Sequence, residues 1–86
     1  MLHQLKIKRC YYQHIVEGKK KFEVRFNDRD YQVGDEITFD VISKPSELIF
    51  HPGDFYKIVY VHVGLGMEKD FVVLGIEKEV VHEPKD

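Results

Sequence analysis

Apolar and polar residues alternate in several short stretches of this 86-residue chain, and in one stretch they recur with helical spacing. Residues 5 to 8, Leu-Lys-Ile-Lys, point to opposite faces in turn, which predicts a half-buried strand whose outer face is basic. Tyr12, Ile15 and Val16 follow at spacings of three and four. That spacing predicts one apolar face on a short helix over residues 9 to 17, ended by Gly18 in the left-handed conformation. Residues 21 to 26 alternate again, so Phe22, Val24 and Phe26 are expected to point inward while Lys21, Glu23 and Arg25 share the opposite face.

Residues 27 to 30, Asn-Asp-Arg-Asp, read as a turn, and Gly34 stands where a positive backbone angle suits the entry to the next strand. In that strand Ile37, Phe39 and Val41 alternate inward. Residues 43 to 54 contain Pro45, Pro52, Gly53 and Asp54 without a strand pattern, and a loop is expected there. From about Tyr56 to Val63 the chain is apolar on both faces except at Lys57 and His62, as in a central strand covered on both sides. Gly64 and Gly66 end it, residues 71 to 76 form a last strand, and the charged tail, about residues 78 to 86, is expected to fray. The connections are too short for a doubly wound parallel sheet. The expected fold class is α+β, mainly β: a small mixed β-barrel of five to six strands with a short helix after the first.

Eighty-six residues make one domain, 1–86, because a chain of this length buries only about 60% of its unfolded surface and has no core to divide. An apolar content of 43% with eleven aromatic residues is enough for a core without disulfides or metal. The single Cys10 forms no internal disulfide, the first residues lack a secretion-type apolar run, and no stretch is long enough to cross a bilayer. A cytoplasmic protein with no membrane role is expected. The net charge of -2 hides an uneven distribution, since residues 6 to 29 hold eight basic side chains against three acidic ones. From residue 44 onward five lysines face eight carboxylates, so the molecule is expected to have one basic side.

The segment Gly18-Lys19-Lys20-Lys21-Phe22-Glu23-Val24-Arg25 has the form Gly-x-Lys-x-x-Glu-x-Arg at a helix-to-strand junction. It resembles the signature of ASCH domains, small barrels of the PUA-like superfamily. The continuation from Asn27 to Asp35, the opening His3-Gln4-Leu5-Lys6-Ile7 and the closing Phe71-Val72-Val73-Leu74-Gly75-Ile76 look like the DUF3850 group of bacterial and phage proteins. The resemblance implies binding of RNA, or of a nucleotide, in a cleft beside the first helix. The residues themselves supply a basic face in the matching place: Lys6, Lys8, Arg9, Lys20, Lys21, Arg25 and Arg29, with Glu23 among them.

Lys20 and Arg25 are suited to phosphate, arginine in bidentate fashion. Glu23 either accepts from a base edge or pairs with Lys21 and Arg25 across the strand. Tyr11 and Tyr31 are candidates to stack on unpaired bases, whereas Tyr12 matches the apolar helix face and is expected in the core. Some ASCH relatives resemble amidohydrolases that deacylate a modified cytidine with a lysine and a threonine of this motif. Lys20 matches that lysine, but the threonine position falls on Glu23, which carries no hydroxyl nucleophile. An enzymatic alternative therefore rests on Lys20 and Glu23 as acid and base. A further alternative is a protein-interaction module, monomeric or weakly homodimeric through the strand edge near residues 56 to 63. Cys10 and His14, four apart, and the other histidines form no recognised zinc pattern, and neither metal nor cofactor is expected.

Overall fold

A computed structural model of the chain describes residues 1–80. Strand β1 (Leu2–Lys8) leads into helix α1 (Arg9–Val16), followed by strands β2 (Phe22–Phe26), β3 (Glu36–Lys44), β4 (Glu47–Phe50), β5 (Phe55–His62) and β6 (Phe71–Lys78). They form one mixed sheet in the order β1-β3-β5-β6-β2, with β4 paired to β3 off this path. β1 and β3 run parallel and the other described pairs are antiparallel.

The mainly β architecture with one short helix is as expected, but the barrel does not close. β1 and β2 are the ends of the sheet and share no ladder. Two side chains span the gap instead: Arg25 Nη1 donates to the Lys6 carbonyl at 2.7 Å and Arg29 Nη1 to the Gln4 carbonyl at 3.1 Å. Gln4 and Lys6 are two apart on a strand, so their carbonyls point to the same edge. The guanidinium groups satisfy acceptors that a neighbouring strand would otherwise take.

Alternation places His3, Leu5 and Ile7 of β1 inward, where they meet Ile37, Phe39 and Val41 of β3 in register. Ile58, Val72, Leu74 and Ile76 complete the floor of the core, and Tyr12 and Ile15 of α1 cap it. Burying such side chains is worth about 1.5–3 kcal/mol each. Val16, expected on the buried helix face, is exposed, because eight helical residues give the core only two anchors. Gly18 ends the helix at φ +76°, with the amides of Gly18 and Lys19 bonding the carbonyls of Ile15 and His14, and Gly34 turns at φ +96°.

Two further expectations are corrected. The stretch 43–54 is not all loop: Pro45 and Ser46 form a tight turn between Lys44 and Glu47, and β4 returns along β3 with register shifts. β5 is buried on one face only. A bulge between Ile58 and Tyr60 leaves Val59 and Tyr60 both exposed and returns Val61 to the core side. β3 flanks β5 over Phe55–Lys57 and β6 flanks it from Tyr56 to His62. Lys78 belongs to β6 and the Glu79 amide bonds the Phe55 carbonyl at 2.9 Å. The rest of that expected tail, residues 81 to 86, lies outside the described residues.

Two polar clusters lock the core's margins. The phenols of Tyr12 and Tyr56 both donate to Asp54 Oδ2, at 3.1 and 2.9 Å, which ties the loop before β5 to helix and sheet. Burial, then the adjacent Asp54 carboxylate, pushes the Tyr12 phenol up to about 12, so it stays a donor at neutral pH. On the other side Asp35 takes His3 Nε2 at 2.8 Å, the Gln32 amide at 3.1 Å and the Met1 amino group at 3.2 Å. The hydrogen bond with His3 holds the Asp35 carboxyl below its ordinary value, against the opposing effect of burial.

Because that pKa is depressed on folding, its stabilisation is fully present above the unfolded carboxylate value of about 3.9 and is lost as pH falls through the lower folded value. Asp35→Asn is expected to cost about 1–3 kcal/mol at neutral pH. Calorimetry should show a fall of about 4–8 °C in Tm per kcal/mol, and a weaker dependence of Tm on pH below about 4 than in the wild type. An unchanged Tm at neutral pH would remove Asp35 from the account.

Candidate functional site

The cleft lies where the sheet fails to close, between β1 and β2. Its position follows from the parity of β2, which is the reverse of the expected one: Glu23 is buried and Arg25 half-buried on the inner side, while Phe22, Val24 and Phe26 point to solvent. β2 is an end strand whose inner face looks into the gap rather than onto the core. A buried carboxylate is tolerated there because two cations reach it.

Lys20, in the turn after α1, donates from Nζ to Glu23 Oε1, and Arg25 Nη1 lies 3.4 Å from Glu23 Oε2. The Glu23 side chain is only 5% exposed and that of Lys20 16%, so both partners are largely withdrawn from water. Lys20 Nζ also sits 5.3 Å from the ring centroids of both Tyr11 and Phe22, so two aromatic rings and a carboxylate hold one ammonium. Arg25 is shared between Glu23 and the Lys6 carbonyl, which couples the charge pair to the β1 edge.

Around this core the cleft encloses about 490 Å³, lined by Lys6, Lys8, Tyr11, Lys20, Glu23 and Arg25 with the aliphatic Ile7, Val24 and Ile42. Of the residues singled out from the sequence, the structure therefore brings together Lys6, Lys8, Lys20, Glu23 and Arg25. Lys6 is partly committed, its Nζ donating to the Pro45 carbonyl at 3.1 Å. Arg29 lies farther along the same seam on Gln4. Arg9 opens α1, exposed and outside the lining, and Lys21 faces a separate depression with Val16, Tyr56 and Ile76. Tyr31 is buried with its ring 4.7 Å from that of His3, so it offers no face to a base. Burial raises its phenol above the ordinary value, against the lowering effect of Arg25 and Arg29. Tyr11 is exposed at the cleft mouth. Phe22 was expected in the core, and no periodicity distinguishes its role as a wall for Lys20.

Among the described residues no three metal-ligating side chains converge, and no helix is long and apolar enough to cross a membrane. A family model described as a domain of unknown function, DUF3850, matches residues 2–76. The chain belongs to the DUF3850 family. No curated protein matches the chain. The DUF3850 match runs from the start of β1 to Ile76 in β6, so every residue of the cleft lies inside the family domain.

Removing Glu23 leaves two partly buried cations without their counter-charge. Glu23→Ala is expected to destabilise the fold by about 3–5 kcal/mol, and a Glu23→Gln/Lys20→Met double-mutant cycle to give a coupling of about 1–3 kcal/mol in chemical denaturation. Additive effects within about 0.5 kcal/mol would mean that the pair does not act as a unit.

Proposed function

We propose that the β1–β2 cleft binds single-stranded RNA in the cytoplasm, taking one unpaired nucleotide at its floor. The observation that carries this reading is the composition of the cleft: four cations, Lys6, Lys8, Lys20 and Arg25, surround one carboxylate, Glu23, in about 490 Å³. That volume falls within the range of small-ligand sites, about 300–1,000 Å³. Phosphate is attracted by the lysines at the rim, and Arg25 has donors beyond the two it uses on Glu23 and Lys6. The Glu23 carboxylate accepts from an exocyclic amine or ring N–H of a base, and Tyr11 offers its ring at the mouth for stacking. The likeness of Gly18-x-Lys20-x-x-Glu23-x-Arg25 to the ASCH signature of PUA-like domains supports the same reading, because the motif's three charged residues line this cleft.

The direct Lys20–Glu23 contact favours a second reading, acid–base chemistry on a modified nucleoside. Among the lining residues only Tyr11 carries a hydroxyl, so hydrolysis there would run through an activated water rather than an acyl-enzyme. Release of acid from acylated cytidines that disappears in Lys20→Ala would favour this version over simple binding.

Anisotropy of labelled short RNAs tests the first reading. Binding tighter than about 10⁻⁵ M at low salt is expected. If Lys6, Lys8 and Arg25 contact about three phosphates, log Kd should change with log salt with a slope of magnitude roughly 2. Lys8→Ala should weaken binding several-fold with little change in Tm, since Lys8 is an exposed rim residue. No binding at low salt, or affinity indifferent to salt, rules the RNA reading out.

A further inference from the structure

Three smaller depressions adjoin the β1–β2 cleft, each sharing lining residues with it. One, of about 220 Å³, shares Lys6 and Ile42 and carries the Asp40 carboxylate in its wall. A second, of about 360 Å³, shares Lys20, has Glu77 among its cations, and its aromatic residue, Tyr56, is buried. The third, of about 370 Å³, shares Tyr11 and Lys20 and is completed by His14, Lys19 and Phe22. Two lysines, an imidazole and two aromatic rings line it, with no carboxylate among them. Of the three, this one has the composition that an unpaired nucleotide uses: cations for the phosphate and an exposed ring for the base.

Local structure accounts for this wall. The His14 carbonyl accepts from the amides of both Lys19 and Lys20, at 3.0 and 3.1 Å, so the end of α1 and the turn after it are held together. Phe22 opens β2 with its side chain outward, and its ladder partner on β6 is Gly75, which has no side chain to cover the ring. Lys20 Nζ lies 5.3 Å from the centroids of Tyr11 and Phe22, yet those residues remain 46% and 44% exposed. The Lys19 side chain is 71% exposed, and its 3.7 Å pair with Glu17 is of the solvated kind that contributes little, so a phosphate can compete for it.

We propose that this depression is a second nucleotide subsite, continuous with the cleft. The inference rests on the RNA reading of the cleft and extends it to the neighbouring nucleotide of the same strand. The base of that nucleotide stacks on Phe22, and its phosphate meets Lys19 with His14 beside it. The phosphate linking the two nucleotides passes over Lys20, which lines both chambers, and Tyr11 is the partition between them. Such a path suits a single strand, whose bases are free to stack on protein rings, and not a duplex, whose bases are already stacked on one another.

Amide chemical-shift mapping by NMR on the intact chain tests this, with ribonucleoside 5′-monophosphates and 5′-phosphorylated RNA dinucleotides of all four bases as probes. Both probes are expected to move Lys8 and Arg25, and the dinucleotides to move His14, Lys19 and Phe22 as well. Dinucleotides should bind at least about fivefold tighter than monophosphates, the low end of what one base stacked on an aromatic ring contributes. Phe22→Ala should remove most of that difference. Lys19→Ala should lower the magnitude of the salt slope for dinucleotides by about 0.7. Lys69→Ala, which removes the same charge from an exposed position before β6, should leave the slope unchanged. Circular dichroism melts check that each variant is folded; Phe22→Leu, which keeps apolar bulk without a ring, replaces an unfolded Phe22→Ala. Dinucleotides that move only the residues moved by monophosphates, or that move Tyr56 and Ile76 or Asp40 and Leu48 instead, overturn the second subsite and leave the cleft reading standing. So does a dinucleotide advantage undiminished in the folded Phe22 variant. Absence of shifts with either probe overturns the subsite and the RNA reading together.

Discussion

The Glu23 carboxylate, enclosed between the Lys20 ammonium and the Arg25 guanidinium, decides how β2 is oriented and hence what both of its faces do. A carboxylate buried without partners would be far costlier than three exposed apolar side chains, so once the cations are supplied the strand can turn its charged residues inward. The exposed aromatics on its back and the gap between the sheet's ends are two results of that one choice.

Much of the fold was legible because it obeys simple periodicity. β1 alternates cleanly, Ile37, Phe39 and Val41 of β3 are buried as their spacing suggests, Gly18 and Gly34 take positive φ, and Tyr12 and Ile15 anchor the helix. β2 was legible as a strand but not in its parity, because a period of two gives two faces without saying which is inside, and apolarity is the ordinary tie-breaker. Here the tie-breaker misleads, since Lys20 and Arg25 compensate Glu23 only through three-dimensional contacts. β4 escaped detection for a different reason: Leu48, Ile49 and Phe50 form an unalternating run after a proline, and all three are exposed.

The cleft was partly visible in the motif itself. Lys20, Glu23 and Arg25 converge as their spacing allows, whereas Arg9 and Lys21, equally basic in sequence, do not line the cleft. Tyr31 looked available because it neighbours charged residues; its burial depends on contact with His3, twenty-eight positions earlier, which no local pattern encodes. Basic composition therefore located the side of the molecule, and long-range packing selected which side chains serve it.

Arg25 and Arg29 stand in for a missing strand, and side chains are a different fastener from a ladder. Backbone pairing is released only cooperatively, many bonds at once, whereas a guanidinium can swing away from a single carbonyl by changing rotamer. Any anion that draws Arg25 toward itself competes with the Lys6 carbonyl for the same donors, so occupancy of the cleft and separation of the two sheet ends are reciprocally linked. An anion held there would then shift the width of the opening without the loss of any of the five strand pairings.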